Sequence, residues 1–191
     1  MKIGIYGGTF DPIHHGHLIL ARMVLEQLGW DQLYFVPCSQ SPHKKNNPIA
    51  SNADRLKMLK LALKQEARLK IDEFELKRGG VSYSIDTVDY FQKKFPRSQL
   101  FWLLGEDQIP KLKSWHRFQE LRKKISFVFL RRKTKNAKLT SLKKSDFLVY
   151  PRRIDISATE IRERIKKKLS IRFFVPESVE HYIQRKKLYH Q

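Results

Sequence analysis

Gly7-Gly8-Thr9-Phe10-Asp11-Pro12-Ile13-His14-His15-Gly16-His17 stands between two apolar segments, Ile3-Gly4-Ile5-Tyr6 before it and Leu18-Ile19-Leu20-Ala21-Arg22-Met23-Val24-Leu25 after it. The first segment reads as a short buried strand. The second is rich in good helix formers and reads as a helix. The stretch between them is therefore a strand-to-helix turn, where an open α/β sheet holds a phosphate ligand. Its glycines, Gly7 and Gly8, let the backbone of Thr9 and Phe10 approach a ligand, and the free N–H groups of the next helix attract an anion. His14 and His17 are three residues apart, so both can face one ligand across the helix entrance.

Three readings of this turn compete. A plain structural turn accounts for the glycines and Pro12 but not for three clustered histidines. A metal site of His14, His15 and His17 uses a common ligand type, yet no Cys or Glu stands at a companion spacing and Cys38 is the single cysteine; no metal ligands are assigned. The dinucleotide fingerprint G-x-G-x-x-G is absent, which argues against hydride transfer. Phosphate chemistry remains.

The run Gly8-Thr9-Phe10-Asp11-Pro12 with His14-His15-Gly16-His17 resembles the first signature of the nucleotidyltransferase superfamily, whose core is written T/HxGH. In its long form, GGTFDPIHHGH, it resembles the bacterial nicotinate-nucleotide adenylyltransferases. Near the other end, Ile156-Ser157-Ala158-Thr159-Glu160-Ile161-Arg162 is similar to the second signature, ISxTxIR. On local grounds alone Ser157 and Glu160 form a capping box, so a helix starts there. Thr159 and Arg162, three apart, place a hydroxyl and a guanidinium beside free N–H groups, an arrangement suited to a triphosphate. The terminal Val175-Pro176-Glu177 through Tyr182-Ile183 also looks like the family's closing helix.

Between the signatures the chain reads as alternating strands and helices. Gln32–Val36 is a second strand, Ser51–Gln65 an amphipathic helix with Ser51 and Asp54 at its start, and Leu69–Leu76 a strand region. A glycine loop from Arg78 then feeds a helix carrying Val88, Phe91 and Phe95, with Ser84 a possible N-cap. Gln99–Leu104 is apolar throughout, as a parallel strand covered on both faces is. Ser126–Leu130 and Asp146–Tyr150 complete the set. The expected fold is α/β, a doubly wound parallel sheet (Rossmann-like) with a C-terminal helical piece, in one nucleotidyltransferase domain over residues 1–191.

The resemblance implies transfer of AMP from ATP to nicotinate mononucleotide, with Mg²⁺ accompanying ATP. It implies His14, His17 and Arg162 as the catalytic residues. Around ATP it places Gly7, Gly8, Thr9 and Phe10 of the first signature and Ile156, Ser157 and Thr159 of the second, with Gly105 and Asp107 after the apolar strand. On the acceptor side it implies Lys44, from a matching PHK, then Ser84 and Thr87 from a segment the family writes SYTIDT, and Trp115 for stacking. Two departures stand out: Ser84 replaces threonine, and Glu106 stands where the family shows Ala or Ser, adding a negative charge that would repel phosphates unless it points outward. The alternatives are a sister transferase acting on nicotinamide mononucleotide or phosphopantetheine, and an RNA-binding protein on the same fold.

Composition narrows these classes. The 191 residues include 39 Lys and Arg against 19 Asp and Glu, a formal charge of +20. Such a field draws in anionic substrates such as ATP as well as nucleic acid. The basic residues are spread over many segments, and the one dense cluster, Arg131–Lys144, has seven basic residues and reads as a surface loop. No aromatic-studded basic motif of the RNA-binding type is present, so nucleic acid is not expected as a partner. No apolar run reaches the ~20 residues of a membrane helix. One cysteine and no leader at the N-terminus point to the cytoplasm. Monomer and homo-oligomer are both compatible with the sequence.

Overall fold

The computed structural model describes residues 1–42, 47–130, 146–149 and 154–190. Lys44, Tyr150 and the basic segment 131–144 lie outside the described residues. Six strands, β1 (Lys2–Gly8), β2 (Gln32–Pro37), β3 (Leu69–Ile71), β4 (Gln99–Gly105), β5 (Ser126–Leu130) and β6 (Phe147–Val149), form one parallel sheet in the order β3-β2-β1-β4-β5-β6. The order reverses between the parallel neighbours β1 and β4, where Ile5 lies beside Trp102: β2 and β3 are added on one side of β1, and β4, β5 and β6 on the other. Loops leaving the carboxyl ends of these two strands therefore bound a crevice, the ligand side of such a sheet.

Alternation along the strands sorts side chains to two faces. Leu33 and Phe35 join one apolar cluster, Tyr34 and Val36 the other. The first face is covered by α1 (His15–Gln27), α2 (Asn52–Ala62), α6 (Ala158–Lys166) and α7 (Glu177–Arg185), through Val24, Met58, Ile161 and Val179. The second is covered by α4 (Ser84–Lys94), α5 (Phe118–Lys124) and a 3₁₀ segment, Glu106–Ser114. The C-terminal helices are thus part of a sheet-covering layer. Tyr182 of α7 donates to Asp54 of α2 at 2.8 Å, tying them to the centre of the chain.

Two expectations change. The strand at Leu69 stops at Ile71, because the Asp72 carboxylate accepts the Phe74 N–H at 2.9 Å and turns the chain into a short helix, α3 (Phe74–Arg78). Ser84 is not the N-cap of its helix: Tyr83 holds that position in extended conformation, and Ser84 is the first helical residue. The capping assignments at Ser51 and Ser157 agree with the structure, each side chain accepting an N–H three residues on, from Asp54 and Glu160. Gly29, with φ +59°, follows the end of α1.

Strand β1 is built around small residues. A Cβ on Gly4 would fall inside the ring of Trp30, a side chain 1% exposed and stacked on Phe101 with centroids 5.4 Å apart. A rigid buried ring cannot yield as a flexible side chain does. Gly4→Ala is expected to destabilise the fold by about 1–3 kcal/mol, the usual cost of overpacking. A lowered denaturant midpoint at unchanged slope checks this; an unchanged midpoint would contradict the packing.

Candidate active site

The turn after β1 is held by charged groups from far along the chain. Asp11 is 5% exposed, and its carboxylate accepts the N–H groups of Ile49 and Ala50 at 2.8 and 3.2 Å and the Tyr189 hydroxyl at 2.6 Å. Burial, then the neighbouring carboxylate, push the Tyr189 phenol well above its ordinary value, so it stays a donor. The Asp11 carbonyl accepts from Arg162 at 2.7 Å, and the Thr9 carbonyl accepts from Arg55 at 2.6 Å. Arg55 is fully buried and donates as well to the Cys38 carbonyl and the Asn52 side chain. It clamps the loop after β1 to the loop after β2.

Inside this frame Phe10 takes a left-handed conformation, φ 48°, and folds its ring under Gly8, where a Cβ would lie 2.8 Å from Phe10 Cζ. Gly8 is therefore required by close approach. His14 caps α1 without a side-chain hydrogen bond, and His17 lies in the first turn. Their rings stack, centroids 3.6 Å apart, and Tyr6 and Phe10 contact His17 edge-on. Burial, and secondarily the charge of His15, lower the His14 pKa to about 4. Its imidazole is neutral at physiological pH and its buried Nδ1 has no hydrogen-bond partner among the described residues.

The second signature meets the first directly. The Ile156 carbonyl lies 3.4 Å from where a Cβ on Gly16 would stand, Ser157 caps α6, and Arg162 bonds both Asp11 O and Thr159 Oγ1, the latter at 3.1 Å. His14, His17, Thr159 and Arg162 thus gather at one helix-end pair, with the N-terminus of α6 facing that of α1.

Across the switch point a cavity of about 320 Å³ is lined by Pro42, Tyr83, Ser84, Ser114, Trp115 and His116. It brings Ser84 and Trp115 together, with Tyr83 and His116 rings 4.4 Å apart. Thr87 does not join them: it is fully buried and its hydroxyl donates to Glu75. Asp86 pairs with Arg78 at 2.9 Å, which neutralises a carboxylate at the start of α4. Gly105 ends β4, and the exposed Asp107 carboxylate folds back over it. Glu106 is 9% exposed, turned inward rather than toward solvent as its charge would require if it were to avoid phosphates by pointing out.

The chain matches the cytidylyltransferase-like family model over residues 5–164. It is 43% identical over 98% of its length to a probable nicotinate-nucleotide adenylyltransferase of Methylacidiphilum infernorum, covering 92% of that protein. It is 37% identical to the nicotinate-nucleotide adenylyltransferase of Bacillus subtilis, covering 98% of both. The chain belongs to the nicotinate-nucleotide adenylyltransferase family. The fold agrees: the Plasmodium falciparum nicotinic acid mononucleotide adenylyltransferase complexed with NaAD superposes with a TM-score of 0.82 at 19% identity, over 98% of this chain and 97% of that one. The roles of Asp11, inside the first signature, and of Arg55, in α2, are not announced by any local pattern. Asp11 acts through partners 38 or more positions away, and Arg55 reaches Thr9 across 46 positions.

The neutral state of His14 is open to test. Its folded pKa lies below the unfolded value, so the stability its neutral form provides is present above ~6.5 and is lost as pH falls through about 4. In an NMR titration His14 should keep its neutral-imidazole shifts from about pH 8 to pH 5, while a free histidine titrates near 6.5. Titration of His14 in the free-histidine range would contradict the packing of this turn.

Proposed function

We propose that the chain transfers the adenylyl group of ATP to the 5′-phosphate of nicotinate mononucleotide, giving deamido-NAD and pyrophosphate. The observation that carries this reading is the junction of two signature segments at the crevice, Arg162 bonded to Asp11 O, with an aromatic-lined cavity across the switch point. An acceptor phosphate oxygen attacks the α-phosphorus in line. The bond from that phosphorus to the bridging oxygen breaks, and pyrophosphate leaves with its electron pair. No covalent enzyme intermediate is required, so catalysis is positioning and charge stabilisation.

His17 and the neutral His14 face the phosphates at the start of α1 and donate to the developing charge. Gly7, Gly8, Thr9 and Phe10 supply backbone approach. Ser157, Thr159 and Arg162 hold the β- and γ-phosphates at the start of α6, beside Ile156. Gly105 and Asp107 border the nucleoside side at the end of β4. Ser84 and Trp115 hold the acceptor ring in the cavity, Lys44 assists at the phosphate, and Thr87 acts from behind through Glu75. Described residues group no three His, Cys, Asp or Glu as metal ligands, and the donors at the turn are imidazoles, a guanidinium and amides. Such a set suits phosphate oxygens, and Mg²⁺ accompanying ATP would neutralise charge on those oxygens.

No helix among the described residues is long and apolar enough to cross a membrane. A single cysteine, the buried thiol of Cys38, and an ATP-dependent reaction fit the cytoplasm. The 1–191 chain acts as one nucleotidyltransferase unit.

The acid acceptor should be preferred over the amide. Amide donors at the start of α4 suit a carboxylate, which accepts at both oxygens, and Arg78 removes the opposing charge of Asp86. A carboxamide would leave groups unpaired at about 1–3 kcal/mol each, so kcat/KM should favour nicotinate mononucleotide by about 10²–10⁴ over nicotinamide mononucleotide. Pyrophosphate release with each acceptor, phosphopantetheine included, is the measurement. Equal values, or a preference for either alternative, would overturn the assignment.

A further inference from the structure

Behind the cavity lies a buried carboxyl that no step of the reaction uses. Glu75 sits in α3, 3% exposed, and accepts the hydroxyl proton of Thr87, itself fully buried. Ser82, 6% exposed, also hydrogen-bonds this carboxyl. The Ser82 oxygen in turn accepts the Ser39 N–H at 3.0 Å, and the Ser82 N–H donates to the Gln40 carbonyl at 2.9 Å. One carboxyl therefore gathers three segments: the loop after β2, the turn before α4, and the first turn of α4. Those segments carry Pro42, Tyr83 and Ser84, which form one side of the cavity opposite Ser114, Trp115 and His116.

Two hydroxyl donors converging on one carboxyl match its ionised form, which only accepts. Burial pushes the carboxyl above its ordinary value, and the two hydroxyls and Arg78 oppose this, with Asp86 adding to the rise. Arg78 spans the same turn, bonding Asp86 and the Val81 carbonyl. The charged groups around Glu75 are thus Arg78 from its own helix and Asp86 from α4. Protonation would add a donor where two donors already point, and would loosen the junction.

We propose that Glu75 is a positioning residue for the acceptor. It locks the loop after β2 to the start of α4, so that Tyr83 and Ser84 keep their place opposite Trp115. This rests on reading the cavity as the acceptor's site. The effect is specific: Glu75 governs acceptor affinity and leaves ATP, held at the starts of α1 and α6, unaffected.

KM for nicotinate mononucleotide and for Mg-ATP should be measured in Glu75→Gln, Glu75→Ala and Trp115→Ala. Glu75→Gln presents an NH₂ donor to two hydroxyls, and should raise the acceptor KM about 10-fold with the ATP KM within about twofold. Its pH profile carries the second readout. Because burial raises the Glu75 pKa, wild-type Glu75 becomes neutral at a higher pH than an ordinary glutamate as the solution is acidified, so the ratio of Glu75→Gln to wild-type acceptor KM should shrink toward one with falling pH. Glu75→Ala leaves two hydroxyls unpaired and should act in the same direction more strongly; if it fails to fold, the glutamine variant decides alone. A rise in both KM values together, or a pH-independent ratio, overturns the proposal. Trp115→Ala separates the two readings: if it raises the acceptor KM while Glu75→Gln does not, Glu75 has no positioning role and the cavity reading stands. If neither variant raises it, both fail.

Discussion

The buried carboxylate of Asp11 is the constraint on which the site depends. It stands 5% exposed within the turn that joins β1 to α1 and carries His14 at the helix start. Left unpaired, a buried charge would cost several kcal/mol. Three donors prevent that, two amides from positions 49 and 50 and the hydroxyl of Tyr189. Hydrogen bonds to charged groups contribute about 1.5–3 kcal/mol each, so the turn is fixed by interactions made only when the chain is fully folded. The last turn of sequence thus holds the first functional loop.

Two arginines extend the same principle to the backbone. Arg55 and Arg162 each donate to a carbonyl of this loop, Thr9 and Asp11. They differ in setting: Arg55 is sealed away and ties β1 to β2, while Arg162 reaches from α6 and also bonds Thr159. Both carbonyls are thereby satisfied within the protein, which fixes the path of the loop between β1 and α1. The sheet then sets the distance between the two halves of the reaction, because the strand order reverses between β1 and β4.

Much of this was legible in the sequence, for reasons that are local. The strands β1, β2, β4 and β5 announce themselves as short apolar runs, and the capping pairs Ser51–Asp54 and Ser157–Glu160 mark helix starts. The two signatures are legible because each is a contiguous run, and the structure brings them together through the Arg162 bond to Asp11 O. One failure was local: the strand at Leu69 ends at Ile71, where the Asp72 carboxylate accepts the Phe74 N–H two residues on and turns the chain into α3. The others were set at a distance. Thr87 reads as a ligand contact within its motif, yet its hydroxyl belongs to Glu75, twelve residues back. The sequence left the direction of Glu106 open, and burial in the fold turns it inward. Strand order, the Asp11–Tyr189 bond and the Arg55 clamp depend on pairings that no window of sequence contains.

In the proposed reaction this framework holds His17 against the phosphates undergoing transfer. Replacing His17 by alanine removes one preorganised donor while leaving Asp11, Arg55 and Arg162 in place. Turnover should fall by about 10²–10³ with the Tm little changed, since the side chain lies at the helix entrance and not in the core clusters. A variant that folds normally and turns over near the wild-type rate would contradict the account.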